Sequence, residues 1–312
     1  MADGTPVPGS LYVYAPNRIA SIFFTVAFAA SAVGHIWQCY RYKCFKLIGL
    51  HPFCAVLFTA GYALREYGAF NYLYTSQNLI IYIFSQVFIF MCPPLLELAN
   101  YHVLGRIFYY VPYSAPLPPG RVLSTFGALM ALVETLNALG VALTSNRSSS
   151  HQELGRNLII AALAIQLGVI VIFIVLAAIF HKRCTKANIH AKAVSTPLIT
   201  LYIIRLDDLE ALMTLSPILR YEWFFYVFEA TLMLINSVLW NVWNPGRYLP
   251  KSYHVYLAQD GRTELQGQDE ADDRPLLAKA GSVLTFGFLF RNKKVNRQFE
   301  ELNEYQVANR QA

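Results

Sequence analysis

The sequence predicts an all-α polytopic membrane protein: a seven-transmembrane helix bundle with its N-terminus outside and its C-terminus in the cytosol. Three observations lead there. Of the 312 residues, 55% are hydrophobic and only 14% charged, little more than half the charged fraction of a typical soluble domain. The apolar residues fall into blocks of about 20, the length that crosses a bilayer as a helix. The basic residues collect in alternate loops, as the positive-inside rule requires. The expected organisation is an extracellular N-terminus over 1–17, a membrane domain over 18–247, and a largely disordered cytosolic tail over 248–312.

Taken in order, helix 1 is expected at Ile19–Tyr40, after the Pro16-Asn17 breaker, and helix 2 at Leu47–Arg65. Helix 3 is expected at Asn78–Tyr101, with Gly105 as its stop. Residues Tyr109–Gly120 carry four prolines and read as a loop. Helix 4 follows at Val122–Leu143, then a polar, serine-rich stretch to Arg156, then helix 5 at Asn157–Phe180. Helix 6, Ile189–Leu209, is short in apolar residues and ends among Arg205, Asp207 and Asp208. Helix 7 is expected at Trp223–Trp243. The leading MADGTPVPGSLYVYAPNR has no basic region followed by an apolar core, so a cleaved leader is not expected.

Orientation follows from the loops. Loop 1–2 holds Arg41, Lys43 and Lys46, loop 3–4 Arg106 and Arg121, and loop 5–6 Lys182, Arg183, Lys186 and Lys192. These loops belong in the cytosol. Loop 4–5 then lies outside, and it contains the glycosylation sequon at Asn146. The five cysteines show no metal spacing and none falls outside the cell, so no disulfide is expected. Cys39, Cys44 and Cys184, near cytosolic helix ends, are either palmitoylated or plain buried thiols.

Polar residues inside the spans are the candidate site, because ionisable groups at depth are expensive. Glu97 sits in helix 3 and must face the bundle interior. Glu134 and Asn137 share a face of helix 4, and Gln166 lies mid-span in helix 5. Arg205 and Asp208 lie three apart on helix 6. Glu222, Tyr226 and Glu229 form one stripe on helix 7, with Arg205 the expected partner of Glu229 if Glu229 is paired. One reading is a polar cavity that opens outward and holds an amphipathic ligand. The other is interhelical hydrogen bonding that needs no ligand; it suits Asn137 and Gln166, whereas Glu134 and Glu229 point to function. His35, His51 and His102 lie near the ends of different helices without ligand spacing, so no metal, no cofactor and no hydrolase are expected. The sequence carries no phosphate-binding loop, so nothing in it suggests ATP hydrolysis. The basic residues lie in loops and tail, so they speak to topology and not to nucleic acid.

The chain resembles the fungal RTA-like family of seven-transmembrane proteins, the lipid-translocating exporters, over roughly 12–249. The residues that carry the resemblance are Tyr14-Ala15-Pro16, His35, Gly61-Tyr62-Ala63-Leu64-Arg65, Pro93 with Tyr101 and Leu104-Gly105-Arg106, Asn137 through Gly140, Gln166, Arg205 with Asp208, Glu222, and Asn244-Pro245-Gly246. Phe58 and Met130 stand where that family usually has acidic residues, and Glu229 where it usually has Asp. The resemblance implies no enzyme. It implies a plasma-membrane protein that exports or flips, or confers resistance to, amphipathic lipids such as sphingoid bases and toxic amphiphiles. The alternative is a seven-helix receptor or lipid sensor. Against it, helix 7 has no lysine for a retinal Schiff base, and helix 3 has no outer cysteine to pair with loop 4–5.

Overall fold

The computed structural model describes residues 9–12, 16–144, 149–187, 189, 192–213, 223, 225–252, 255–258 and 263–266. They are predominantly helical and divide into two compact units, 1–99 with 200–251 and 100–199 with 252–312.

In the first unit, α1 (Arg18–Tyr42) starts at Asn17, whose side chain accepts hydrogen bonds from the N–H groups of Ile19 and Ala20 at 2.9 and 3.3 Å. It stops at Lys43, which takes the left-handed conformation (φ 54°). Phe24, Phe28, Ala32, His35 and Cys39 recur at helical spacing and are buried, while Ile19, Phe23, Val26, Val33, Trp37 and Tyr40 are exposed. An apolar outer face with a packed inner stripe suits a helix whose solvent is lipid. A single turn, α2 (Phe45–Ile48), precedes α3 (Leu50–Phe70). Helix 2 therefore begins later and runs further than expected. Pro52 sits in its first turn, where no backbone donor is needed. The segment 9–12 packs back on the loop after α3: Leu11 N–H donates to the Tyr72 carbonyl and Tyr74 N–H to the Gly9 carbonyl, both at 2.9 Å.

α4 (Ser76–Tyr110) is 35 residues long and passes through Pro93-Pro94. This corrects the expected end at Tyr101 and the assignment of Gly105 as a stop. Leu104, Ile107 and Phe108 are fully buried, so tertiary packing carries the helix past the glycine. The proline-rich stretch holds a 3₁₀ turn, Pro112–Ser114. In the second unit, α5 (Pro119–Thr144) and α6 (Ser149–Lys186) follow. The serine-rich stretch before Arg156 is thus helical from Ser149, and α6 is 38 residues long. α7 (Lys192–Met213) contains Pro197. The last span opens as π-helical turns over Phe225–Thr231 and continues as α8 (Leu232–Val242).

Five segments are long and apolar enough to cross a membrane: α1, α4, 121–143 of α5, 151–186 of α6, and 225–247. α3 and α7 fall outside that set; α7 has a shorter apolar stretch, Val194–Arg205. The tail is not featureless. β1 (Val255–Leu257) and β2 (Glu264–Gln266) pair antiparallel, with Tyr256 opposite Leu265.

Candidate functional site

The interior of the first unit is an aromatic cluster with a cation at one edge. Gly61 lets α4 approach, since a Cβ there would lie 2.8 Å from Ile89 Cγ1. Ser85 Oγ donates to the Gly61 carbonyl at 3.1 Å. Tyr62, one residue on, is fully buried, with ring centroids 5.4 Å from Phe24 and 5.6 Å from Phe28. Phe58 stacks on Phe28 at 4.5 Å, which makes the site apolar at the position where an acidic residue was noted as missing. One turn beyond Tyr62, Arg65 is 2% exposed. Its Nε donates to Tyr226 Oη at 3.1 Å, and its guanidinium lies 4.5 Å from the Phe225 ring centroid and 5.1 Å from that of Tyr12. Tyr226 shares a second hydrogen bond with Ser21 Oγ at 2.7 Å.

Tyr226 and Glu229 lie in the π-helical turns, and Thr231 Oγ1 donates to the Tyr226 carbonyl five residues back at 2.8 Å. π-helical turns are uncommon and recur at functional sites. Glu229 is half-buried and within electrostatic reach of Tyr62 and Cys92. Glu97 faces the interior of this unit, as expected of a carboxylate at depth, and it receives a partner that the sequence reading had not given it. Arg205 Nη1 lies 3.2 Å from Glu97 Oε1, with Arg205 fully buried and Glu97 16% exposed.

Other motif residues make packing and hydrogen-bond contacts. Asn244 Oδ1 accepts from the Gly246 N–H at 2.8 Å, and Asn244 Nδ2 donates to Gln38 Oε1 at 2.5 Å. Pro245 and Gly246 thereby close the last span against the end of α1. A Cβ on Gly246 would lie 2.6 Å from Cys44 Sγ. Pro93 lies inside α4 and removes a helix donor there. In the second unit, Tyr101 stacks on Phe126 at 4.7 Å and meets Phe173 at 5.7 Å. Tyr101 is fully buried. Arg106 is also buried rather than free in a loop. Its Nη2 donates to the Ser252 carbonyl at 2.9 Å and its Nη1 to the Val255 carbonyl at 3.3 Å, while Tyr110 Oη donates to Glu264 Oε1 at 2.9 Å. Arg106 therefore holds the start of the tail.

The predicted polar residues divide between the two units. Arg205, Tyr226 and Glu229 fall in the first unit; Glu134, Asn137 and Gln166 fall in the second. Glu134 is exposed, and Asn137 and Gln166 are half-buried. Asp208 is placed on α7 by its backbone. Glu222 and Asn146 lie outside the described residues. All five cysteines are free and buried, which favours plain thiols over acylation sites. Ser21, Ser31, Ser237 and Asn241 escaped the sequence reading, because isolated serines and asparagines in apolar runs carry no pattern of their own.

Long apolar helices with lipid-facing outer surfaces and buried charges define a polytopic α-helical membrane protein. The sequence profile described as RTA1 like protein matches residues 52–252. A relative from Leptosphaeria maculans, named lipid-translocating exporter-like protein RTA1, is 52% identical across 96% of this chain and 63% of its own length. One of the same name from Ajellomyces capsulatus is 29% identical across 69% of this chain and 75% of its own. The chain belongs to the RTA1-like family, and it spans less than two thirds of the length of the Leptosphaeria relative. No solved structure matches it.

Proposed function

We propose that this protein moves amphipathic lipids or toxic amphiphiles across a membrane, most readily those with a cationic head such as sphingoid bases, and so confers resistance to them. The names of its relatives support lipid movement. The cationic preference rests on one observation: a half-buried carboxylate, Glu229, stands on a π-helical turn beside the aromatic cluster of Tyr62 and Tyr226. An ammonium head meets the carboxylate and its chain lies against the rings. In this reading α1, α3, α4, α5, α6, α7 and the Phe225–Val242 helix all cross the plasma membrane, with the N-terminus and a glycosylated Asn146 outside and the tail in the cytosol. The test is movement of fluorescent lipids in liposomes that hold the purified protein. Glu229→Gln is expected to keep its fold, lose movement of a sphingoid base and retain movement of a neutral lipid. Equal loss of both, at normal protein level, rules out charge recognition by Glu229.

A further inference from the structure

His35 on α1 and His51 on α3 meet in the interior of the first unit. They are 0% and 1% exposed, and their rings stack with centroids 5.8 Å apart and planes 23° apart. Trp240 of α8 lies 5.4 Å from the His51 ring. Neither ring nitrogen of His51, nor Nδ1 of His35, has a hydrogen-bond partner among the described residues. Leaving a buried polar group so is costly, and here it recurs at three atoms of two neighbouring rings. The remaining nitrogen opens onto a chain of polar groups. His35 Nε2 is 3.2 Å from Ser237 Oγ, which is 2.7 Å from Ser31 Oγ. Asn241 Nδ2 donates to Ser31 Oγ at 2.7 Å, and Gln38 Nε2 donates to the Asn241 carbonyl at 2.8 Å. Gln38 Oε1 then accepts from Asn244 Nδ2, and Asn244 is itself fully buried.

We propose that His35 and His51 form a proton-binding pair and that proton uptake there drives the lipid movement proposed above. One ring nitrogen accepts the hydrogen ion and becomes an imidazolium; release returns the neutral ring. The site holds one proton, since two imidazolium ions 5.8 Å apart in the interior would repel. The other ionisable groups near the pair are the thiols of Cys39, one turn from His35 on α1, and Cys54, one turn from His51 on α3. α8 contributes Ser237, Asn241 and Trp240, none of them charged. An imidazolium in this packing is an uncompensated interior cation, stabilised only when α1, α3 and α8 part and admit water. Proton uptake and the opening of these three helices are then one event. That supplies a driving force to a chain whose sequence carries no phosphate-binding loop.

This inference rests on the lipid-moving reading, so its test has two readouts. The first is tryptophan fluorescence of the full-length protein in liposomes, titrated from about pH 8 to about pH 5. The imidazolium quenches the adjacent indole, so a quench is expected in the wild type and is lost in both His51→Asn and Trp240→Phe. A wild-type signal that does not change with pH, or an identical titration in His51→Asn, overturns the proton site whatever the lipid does. The second readout is the distribution of a fluorescent sphingoid base under an imposed pH gradient. With one proton per lipid, a gradient of one unit supports about a tenfold asymmetry of the lipid. His51→Asn, with His35→Asn as a second variant, is expected to abolish the asymmetry and keep downhill movement. Lipid movement in the wild type that is indifferent to the gradient overturns the coupling and leaves the lipid-moving function standing. A pH-dependent quench with no lipid movement at all overturns the lipid-moving reading instead, and with it the coupling.

Discussion

Removing the Glu97 charge should destabilise the protein. Arg205 is fully buried and lies 3.2 Å from Glu97 Oε1. Glu97→Gln keeps the shape and one acceptor oxygen but leaves the guanidinium without that counter-charge. Breaking a buried ion pair from one side costs about 3–5 kcal/mol. Glu97 is 16% exposed, which retains some hydration and places the effect near the lower bound, at about 3 kcal/mol. At roughly 2–4 °C per kcal/mol for a domain of 150–250 residues, the midpoint falls by about 6–12 °C. Because desolvating two charges is itself costly, replacing both partners should restore most of the loss, so Glu97→Gln with Arg205→Met should melt well above Glu97→Gln alone. The assay is thermal unfolding of the solubilised protein followed by size-exclusion chromatography. A Glu97→Gln midpoint within about 1 °C of wild type would show that the pair carries no stability and that the argument is wrong.

Three further outcomes follow from the packing. Gly246→Ala places a methyl 2.6 Å from Cys44 Sγ, so it should lower stability by about 1–3 kcal/mol as an overpacked contact, and Cys44→Ala alongside it should relieve part of that in the same melting assay. At Gly105 a Cβ meets the Pro119 carbonyl at 3.5 Å and Val122 Cβ at 3.7 Å, which is ordinary contact. Gly105→Ala should therefore be tolerated and even favoured in mid-helix by about 0.5–1 kcal/mol, whereas Gly105→Leu should reduce the amount of folded protein; if both variants express alike, the packing of α4 on the start of α5 is not as described. Arg106→Met removes both donors to the Ser252 and Val255 carbonyls, so limited proteolysis should cut after Lys251 sooner than in wild type, and an unchanged cleavage pattern would rule out Arg106 as the anchor of the tail.

The sequence alone determined the class of protein and most of its helices. Blocks of about 20 apolar residues and basic loops follow from the cost of burying charge and backbone in lipid, a local property that composition reports directly. The ordered motifs likewise led to the family before any coordinates. Tertiary structure decided where helices end and whom the polar residues meet. Gly105 read as a stop, yet α4 continues to Tyr110 because Leu104, Ile107 and Phe108 are buried against neighbours. Arg205 could have met any carboxylate at its depth; which one it meets depends on the rotation of α7 and α4 about their axes, and the answer is Glu97. The stacking of His35 on His51 was invisible for the same reason. A helix periodicity shows that a residue faces inward, but the partner across the interface belongs to a distant stretch of chain and is fixed only by packing.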